Sequence, residues 1–219
     1  MVNPETTLAD LVIATPHAAR VLYRHRLDFC CGGRSTLADA CARTNLDAAA
    51  VGREIDDAAG DGSDLHPELL TPTELTEVII TRYHEPLRAE LPRLLELARK
   101  VERVHAAKPA CPTGLSAHLL EMNNAIAAHL DKEEQILFPM IRAGRGALAH
   151  MPVQVMMQEH DDHAANLQRM HVLAHDFVLP PDACTSWRNL YDSLQALELE
   201  LMRHIHTENN ILFPAVLAA

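Results

Sequence analysis

His129-Leu-Asp-Lys-Glu133-Glu-Gln-Ile-Leu-Phe138-Pro139 recurs in the same chain as His204-Ile-His-Thr-Glu208-Asn-Asn-Ile-Leu-Phe213-Pro214. Every shared position is offset by 75 residues: a His, a Glu four residues later, then Ile-Leu-Phe-Pro. Positions i and i+4 of an α-helix lie only about 40° apart around the axis, so each copy presents an imidazole and a carboxylate from one face. The duplication predicts two such helices facing each other across a pseudo-twofold axis. Two converging His/Glu pairs in a helical bundle make a site for transition metals, and most naturally for a pair of irons.

The repeat continues upstream. Tyr83-His84-Glu85 places its His 45 residues before His129, and Glu159-His160-Asp161 places its His 44 before His204. The candidate ligands are therefore His84, His129 and Glu133 from one half, and His160, His204 and Glu208 from the other. A single His-x3-Glu pair reads as an ordinary i,i+4 surface contact. Two copies with matching spacing and a matching Ile-Leu-Phe-Pro exit point instead to metal. Each iron would take two imidazoles and share both carboxylates as bridges, which leaves room for a bridging oxygen and an exchangeable position. Zinc and manganese remain open, because ligand type alone does not fix the metal.

The composition suits helices. Aromatic residues make up 4% of the 219 residues, and there are only 8 glycines. Ala, Leu and Glu are abundant, which favours helix over strand. The formal charge of −11 argues against non-specific binding to nucleic acid or to an anionic membrane. No apolar run reaches the ~20 residues of a membrane span. Met1-Val-Asn-Pro-Glu5 has neither the basic region nor the apolar core of an export signal. Five cysteines, two of them adjacent, do not form a disulfide framework. The expectation is a soluble, cytoplasmic protein.

Residues 1–62 are predicted to form a small helical domain, with short helices beginning at Thr15-Pro16, spanning residues 36–43 and spanning residues 47–59. Gly60-Asp-Gly-Ser-Asp-Leu-His-Pro-Glu68 is polar and turn-rich and marks the boundary. Residues 70–219 are predicted to form an up-down-up-down four-helix bundle, making the whole chain all-α. Its helices fall at about residues 71–104, 113–138, 151–177 and 182–213. Thr71-Pro-Thr-Glu74 supplies a capping box with Pro at the first helical position. Pro86 and Pro92 should kink the helix that follows. His84 and His160 lie early in their helices and His129 and His204 late, so antiparallel packing brings all four to one end. His105 lies 21 residues beyond His84, roughly 31 Å along a straight helix, and is left out of the ligand set.

The pattern resembles hemerythrin-like domains, and over nearly the whole chain it is similar to one branch, the bacterial RIC family. The resemblance rests on the Phe29-Cys30-Cys31-Gly-Gly33 loop, Arg82-Tyr83-His84, Lys100-Val-Glu-Arg-Val-His105, both His/Glu copies with their Phe-Pro exits, and Glu159-His160-Asp161. It implies a di-iron protein that restores iron–sulfur clusters damaged by nitric oxide or oxidants by donating iron. Implied partners are iron–sulfur proteins or cluster scaffolds, with nitric oxide or dioxygen as small ligands. A homodimer is compatible with the sequence.

Three residues outside the ligand set are candidates for the chemistry. Cys30 and Cys31 are either small buried hydrophobes in a turn or a reactive, iron-handling thiol pair. Arg26 and Arg34 flank them and should favour thiolate. Glu159, beside His160, either faces an access path or hydrogen-bonds a ligand, or else is a solvated helix residue. Cys41, Cys111 and Cys184 lie outside any ligand spacing. A ferritin-like oxidase would need two Glu-x-x-His motifs, and only Glu102-Arg-Val-His105 matches. Rivals to repair are a sensor of oxygen, nitric oxide or iron, and a nitric oxide or peroxide reductase.

Overall fold

In the computed structural model, which describes residues 1–58 and 66–218, every regular element is helical. Four short helices come first: α1 (Leu8–Ala14), α2 (Ala18–Arg24), α3 (Leu37–Thr44) and α4 (Ala48–Asp57). The side chains of Thr7, Thr36 and Asp47 accept hydrogen bonds from the first turns of α1, α3 and α4, satisfying donors that have no partner inside the helix. α3 stops at Asn45, which takes the left-handed conformation at φ 57°, one that Asn tolerates better than most residues. The sequence reading missed α1 and placed the start of α2 too early. Thr15-Pro16 precedes a turn, and His17 is the residue before the helix. Most of the turn-rich boundary, residues 59–65, lies outside the described residues.

Four long helices build the bundle. α5 covers residues 72–105, α6 residues 115–142, α7 is His150–Leu173, and α8 covers residues 185–217. Thr71 and Glu74 form the reciprocal capping box at the start of α5. Three of the four carry one π turn: Ile80–His84 in α5, Glu133–Leu137 in α6 and Glu208–Leu212 in α8. Each precedes a proline by two residues, at Pro86, Pro139 and Pro214. Proline lacks an N–H and its ring crowds the carbonyl four residues back. A turn widened by one residue absorbs that conflict without ending the helix.

This corrects the predicted ends. Phe138-Pro139 and Phe213-Pro214 are not helix exits, because α6 runs on to Arg142 and α8 to Leu217. α7 ends earlier than expected, at Leu173. His175, Asp176 and Phe177 all have positive φ, between 51° and 60°, and cannot continue a right-handed helix. Pro92 lies inside an unbroken Glu85–His105 segment.

Two apolar regions flank one polar level. Leu87, Ile126, Leu130, Leu167, Leu201 and Ile205 lie on one side of it, in a core continuous with the N-terminal helices. Ile79, Tyr83, Leu137, Met156 and Leu212 lie on the other. Along all four helices the His/Glu positions fall between the two. Phe138 and Phe213 are 0% and 1% exposed, and burying each ring contributes about 1.5–3 kcal/mol.

Candidate metal centre

The six predicted ligands meet at this level and are almost solvent-free, none more than 2% exposed. They form two overlapping groups that can each hold a metal ion: His84, His204, Glu133 and Glu208 in one, His129, His160 and the same two glutamates in the other. In both groups the Nε2 atoms point inward. His84 Nε2 and His129 Nε2 lie 3.4 Å and 3.5 Å from Glu133 Oε2. His160 Nε2 and His204 Nε2 each lie 3.1 Å from a different oxygen of Glu208.

Donor geometry fits metal. His84 Nε2 and His204 Nε2 are 3.1 Å apart, and His129 Nε2 and His160 Nε2 are 3.2 Å apart. Two nitrogens bound at about 2.1 Å and at right angles would lie about 3 Å from each other. Both oxygens of Glu133 are buried without a hydrogen bond among the described residues. That is a costly arrangement unless a cation completes it.

Burial, together with the neighbouring His204, holds the His84 imidazole down at about 4. Burial and His160 do the same to His129, also to about 4. The His84 and His129 imidazoles are therefore neutral and ready to donate lone pairs at neutral pH. Burial and the nearby Glu208 push the Glu133 carboxyl well above its ordinary range. Burial acts on Glu208 in the same direction, but His204 and His160 outweigh it and keep Glu208 ionised.

The outward Nδ1 atoms have their own partners, which the sequence reading did not assign. Glu134 Oε1 accepts from His84 Nδ1 at 2.8 Å, and Arg88 donates to the same oxygen at 2.6 Å. Glu159 Oε2 accepts from His129 Nδ1 at 2.9 Å, while Lys132 donates to its other oxygen. Burial alone would raise Glu159, but Lys132 and His129 prevail and hold it below the usual carboxylate range. The structure thus places Glu159 as the acceptor that orients a candidate ligand. Asn209 Oδ1 accepts from His160 Nδ1 at 2.8 Å. The Ile-Leu-Phe-Pro repeat also has a local purpose: Phe138 stacks on His84 at 5.7 Å and Phe213 on His160 at 5.9 Å. A fifth histidine, His163, packs edge-on against His129 at 5.0 Å. It sits one turn after His160, but its counterpart in the first half is Leu87, so the repeat gave no signal for it.

His105 is placed at the far end of α5. There its Nε2 lies 3.1 Å from Cys184 Sγ and its ring lies 4.9 Å from that of Trp187.

Cys30 and Cys31 sit in a loop gathered by Asp28, which accepts the backbone N–H groups of Cys30, Cys31 and Gly32 at 2.9–3.0 Å. A Cβ at Gly33 would lie 2.7 Å from the Phe29 carbonyl oxygen and 3.0 Å from Ala9 Cβ, so glycine is required there. The loop docks on the π turn of α8. Asn210 donates to the Cys30 carbonyl at 3.1 Å, and Asn209 Nδ2 lies 4.0 Å from Cys31 Sγ. A cavity of about 490 Å³ opens beside Cys30, between Tyr23, Asp28, Leu167 and Glu198.

The flanking arginines do not make Cys30 a thiolate. Arg26 turns away to pair with Asp176 at 3.0 Å. Contact with the Cys31 thiol, burial and the Asp28 carboxylate push the Cys30 thiol well above its ordinary value. The sequence reading overlooked Asp28, whose Oδ1 lies 3.1 Å from Cys30 Sγ.

Residues 77–216 match the family described as Hemerythrin HHE cation binding domain, and residues 4–59 match a domain of unknown function, DUF542. The iron–sulfur cluster repair protein YtfE of Citrobacter koseri is 40% identical over 211 residues, 96% of each chain. The chain belongs to the hemerythrin-domain family of iron–sulfur cluster repair proteins. The YtfE proteins of Escherichia coli O81 and Shigella boydii serotype 4 are each 39% identical over 218 residues, 100% of this chain and 99% of theirs. Family membership therefore extends over both the thiol loop and the bundle. Among the described residues no helix is long and apolar enough to cross a membrane.

Proposed function

We propose that this chain holds two irons between His84, His129, Glu133, His160, His204 and Glu208, and that it repairs damaged iron–sulfur clusters by donating iron. The observation that carries the reading is the pair of buried His2Glu2 groups sharing Glu133 and Glu208. Glu133 and Glu208 would be shared by the two irons, with an oxo bridge between them, and the pair would supply one-electron redox chemistry and a place for nitric oxide or dioxygen. The protein's own contribution is to keep His84 and His129 neutral, to aim the Nε2 atoms of His84, His129 and His160 inward through their Nδ1 acceptors, and to exclude water with Phe138 and Phe213.

Release needs ligands that can let go. A carboxylate held only by metal can swing, and Glu133 has no hydrogen bond of its own to restrain it. Cys30 and Cys31 act as the receiving or exchanging thiols, with the adjoining cavity as their access. The proton that holds Cys30 as a thiol leaves when a metal binds the sulfur. The site of action is the cytoplasm, and the partners are iron–sulfur proteins or the scaffolds on which clusters are rebuilt.

The test uses anaerobically iron-loaded protein and an iron–sulfur enzyme whose cluster has been damaged by nitric oxide. Repair predicts regained enzyme activity in step with iron lost from this protein. No iron transfer, with a spectral change on nitric oxide addition, would favour a sensor instead.

A further inference from the structure

The pseudo-twofold relation between the halves is broken outside the ligands. Glu134 in the first half corresponds to Asn209 in the second, and Tyr83 corresponds to Glu159. The ligand positions match but the groups behind them do not, so the two metal positions are held differently.

At the position formed by His129 and His160, both outward nitrogens are hydrogen-bonded. His129 has an oxygen of Glu159 to itself, because Lys132 occupies the other oxygen. His160 has the Asn209 amide oxygen. At the position formed by His84 and His204, support is thinner. His84 shares a single oxygen of Glu134 with Arg88, and the guanidinium draws electron density from that oxygen. His204 Nδ1 is buried with no hydrogen-bond partner among the described residues. Tyr83, in the place of Glu159, stacks on the His204 ring at 5.2 Å and directs its hydroxyl to Thr207 at 3.4 Å. An acceptor at Nδ1 raises imidazole basicity and fixes the ring, and losing one costs about 10–100-fold in metal affinity.

We infer that the metal between His84 and His204 is the exchangeable one, and that the metal between His129 and His160 is retained, with Asn209 as a positioning residue for the retained site. The inference rests on the two-iron reading above and specifies which iron would be given up. It also separates the tasks: Cys30 and Cys31 adjoin the retained position through Asn209, which leaves them the exchange with a partner's thiol rather than receipt of the released iron.

The experiment is iron release from the full-length ferrous protein, without oxygen, into an excess of a ferrous chelator. Two phases of one iron each are expected, with rates about 10–100-fold apart. Ions released in turn from equivalent sites could also give two phases, so variants carry the assignment. Asn209→Leu removes the acceptor of His160 and should speed the slow phase at least several-fold while leaving the fast phase unchanged. Glu159→Leu should do the same through His129, which keeps the test open if Asn209→Leu fails to fold. Glu134→Leu should speed only the fast phase. Tyr83→Phe, which retains the stacking ring, should change neither. Loss of both irons at one rate, or acceleration of the fast phase by Asn209→Leu or Glu159→Leu, would overturn the inference. A chain that binds only one iron would sink the two-iron reading instead. Two assigned phases without cluster repair would leave this inference standing and remove the repair role.

Discussion

Replacing Glu133 with Met should make the metal-free protein more stable while abolishing its response to metal. Glu133 is 0% exposed and neither carboxylate oxygen has a hydrogen bond among the described residues. An unsatisfied buried polar group costs about 1–3 kcal/mol. Its contacts to His84 and His129, at 3.4 Å and 3.5 Å, return little without metal because burial keeps those imidazoles neutral. Met has a similar volume and flexible torsions, so it can fill the space without a cavity. The net expectation is a gain of about 1–3 kcal/mol in the metal-free state. For a chain of this size, that raises the melting temperature by about 2–4 °C per kcal/mol. Calorimetry of chelator-treated wild-type and Glu133→Met protein gives the comparison, followed by ferrous iron addition. Iron should raise the wild-type melting temperature and leave the variant's nearly unmoved. A metal-free variant less stable than wild type would refute the reasoning, since Glu133 would then be a structural residue.

Three further outcomes are expected. Changing Cys30 and Cys31 together to Ser should leave iron content and the absorption spectrum unchanged but reduce reactivation of a damaged iron–sulfur enzyme several-fold; full reactivation would return the pair to a packing role. His105→Ala should retain both irons, whereas His84→Ala should lose mainly one, as read by metal analysis. The metal-free protein should also weaken in acid. His84 and His129 have folded values of about 4 against an ordinary 6.5. A depressed imidazole binds fewer protons in the native state, so its stability is present above about 6.5 and is lost as pH falls through about 4. Glu133 is shifted upward and acts oppositely, favouring the native state at low pH. The urea midpoint should therefore fall less steeply than two histidines alone would give, and Glu133→Met should steepen it.

The legible part of this molecule was what one helix can encode. His129 with Glu133, and His204 with Glu208, are i,i+4 neighbours, so their shared face follows from helical geometry alone. Duplication then supplied the facing partner, and the early or late position of each His set the level in the bundle. Contacts between helices were harder to read. Glu134 serves His84 and Glu159 serves His129 across helix pairs, and neither spacing reveals the partner. Widened turns were also hidden: Phe-Pro reads as an exit unless the turn before it can expand. At the thiol loop, sequence proximity misled. Arg26 is near Cys30 in sequence but pairs with Asp176, whereas Asp28 sets Oδ1 3.1 Å from Sγ.

Iron stoichiometry under strictly anaerobic titration tests the shared-carboxylate centre most directly. The wild-type chain should bind two ferrous ions, and Glu208→Ala should lose most of both, because one residue serves both positions. His160→Ala should cost mainly one. A wild-type chain saturating at a single iron, or a Glu208→Ala chain that still binds two, would contradict the account.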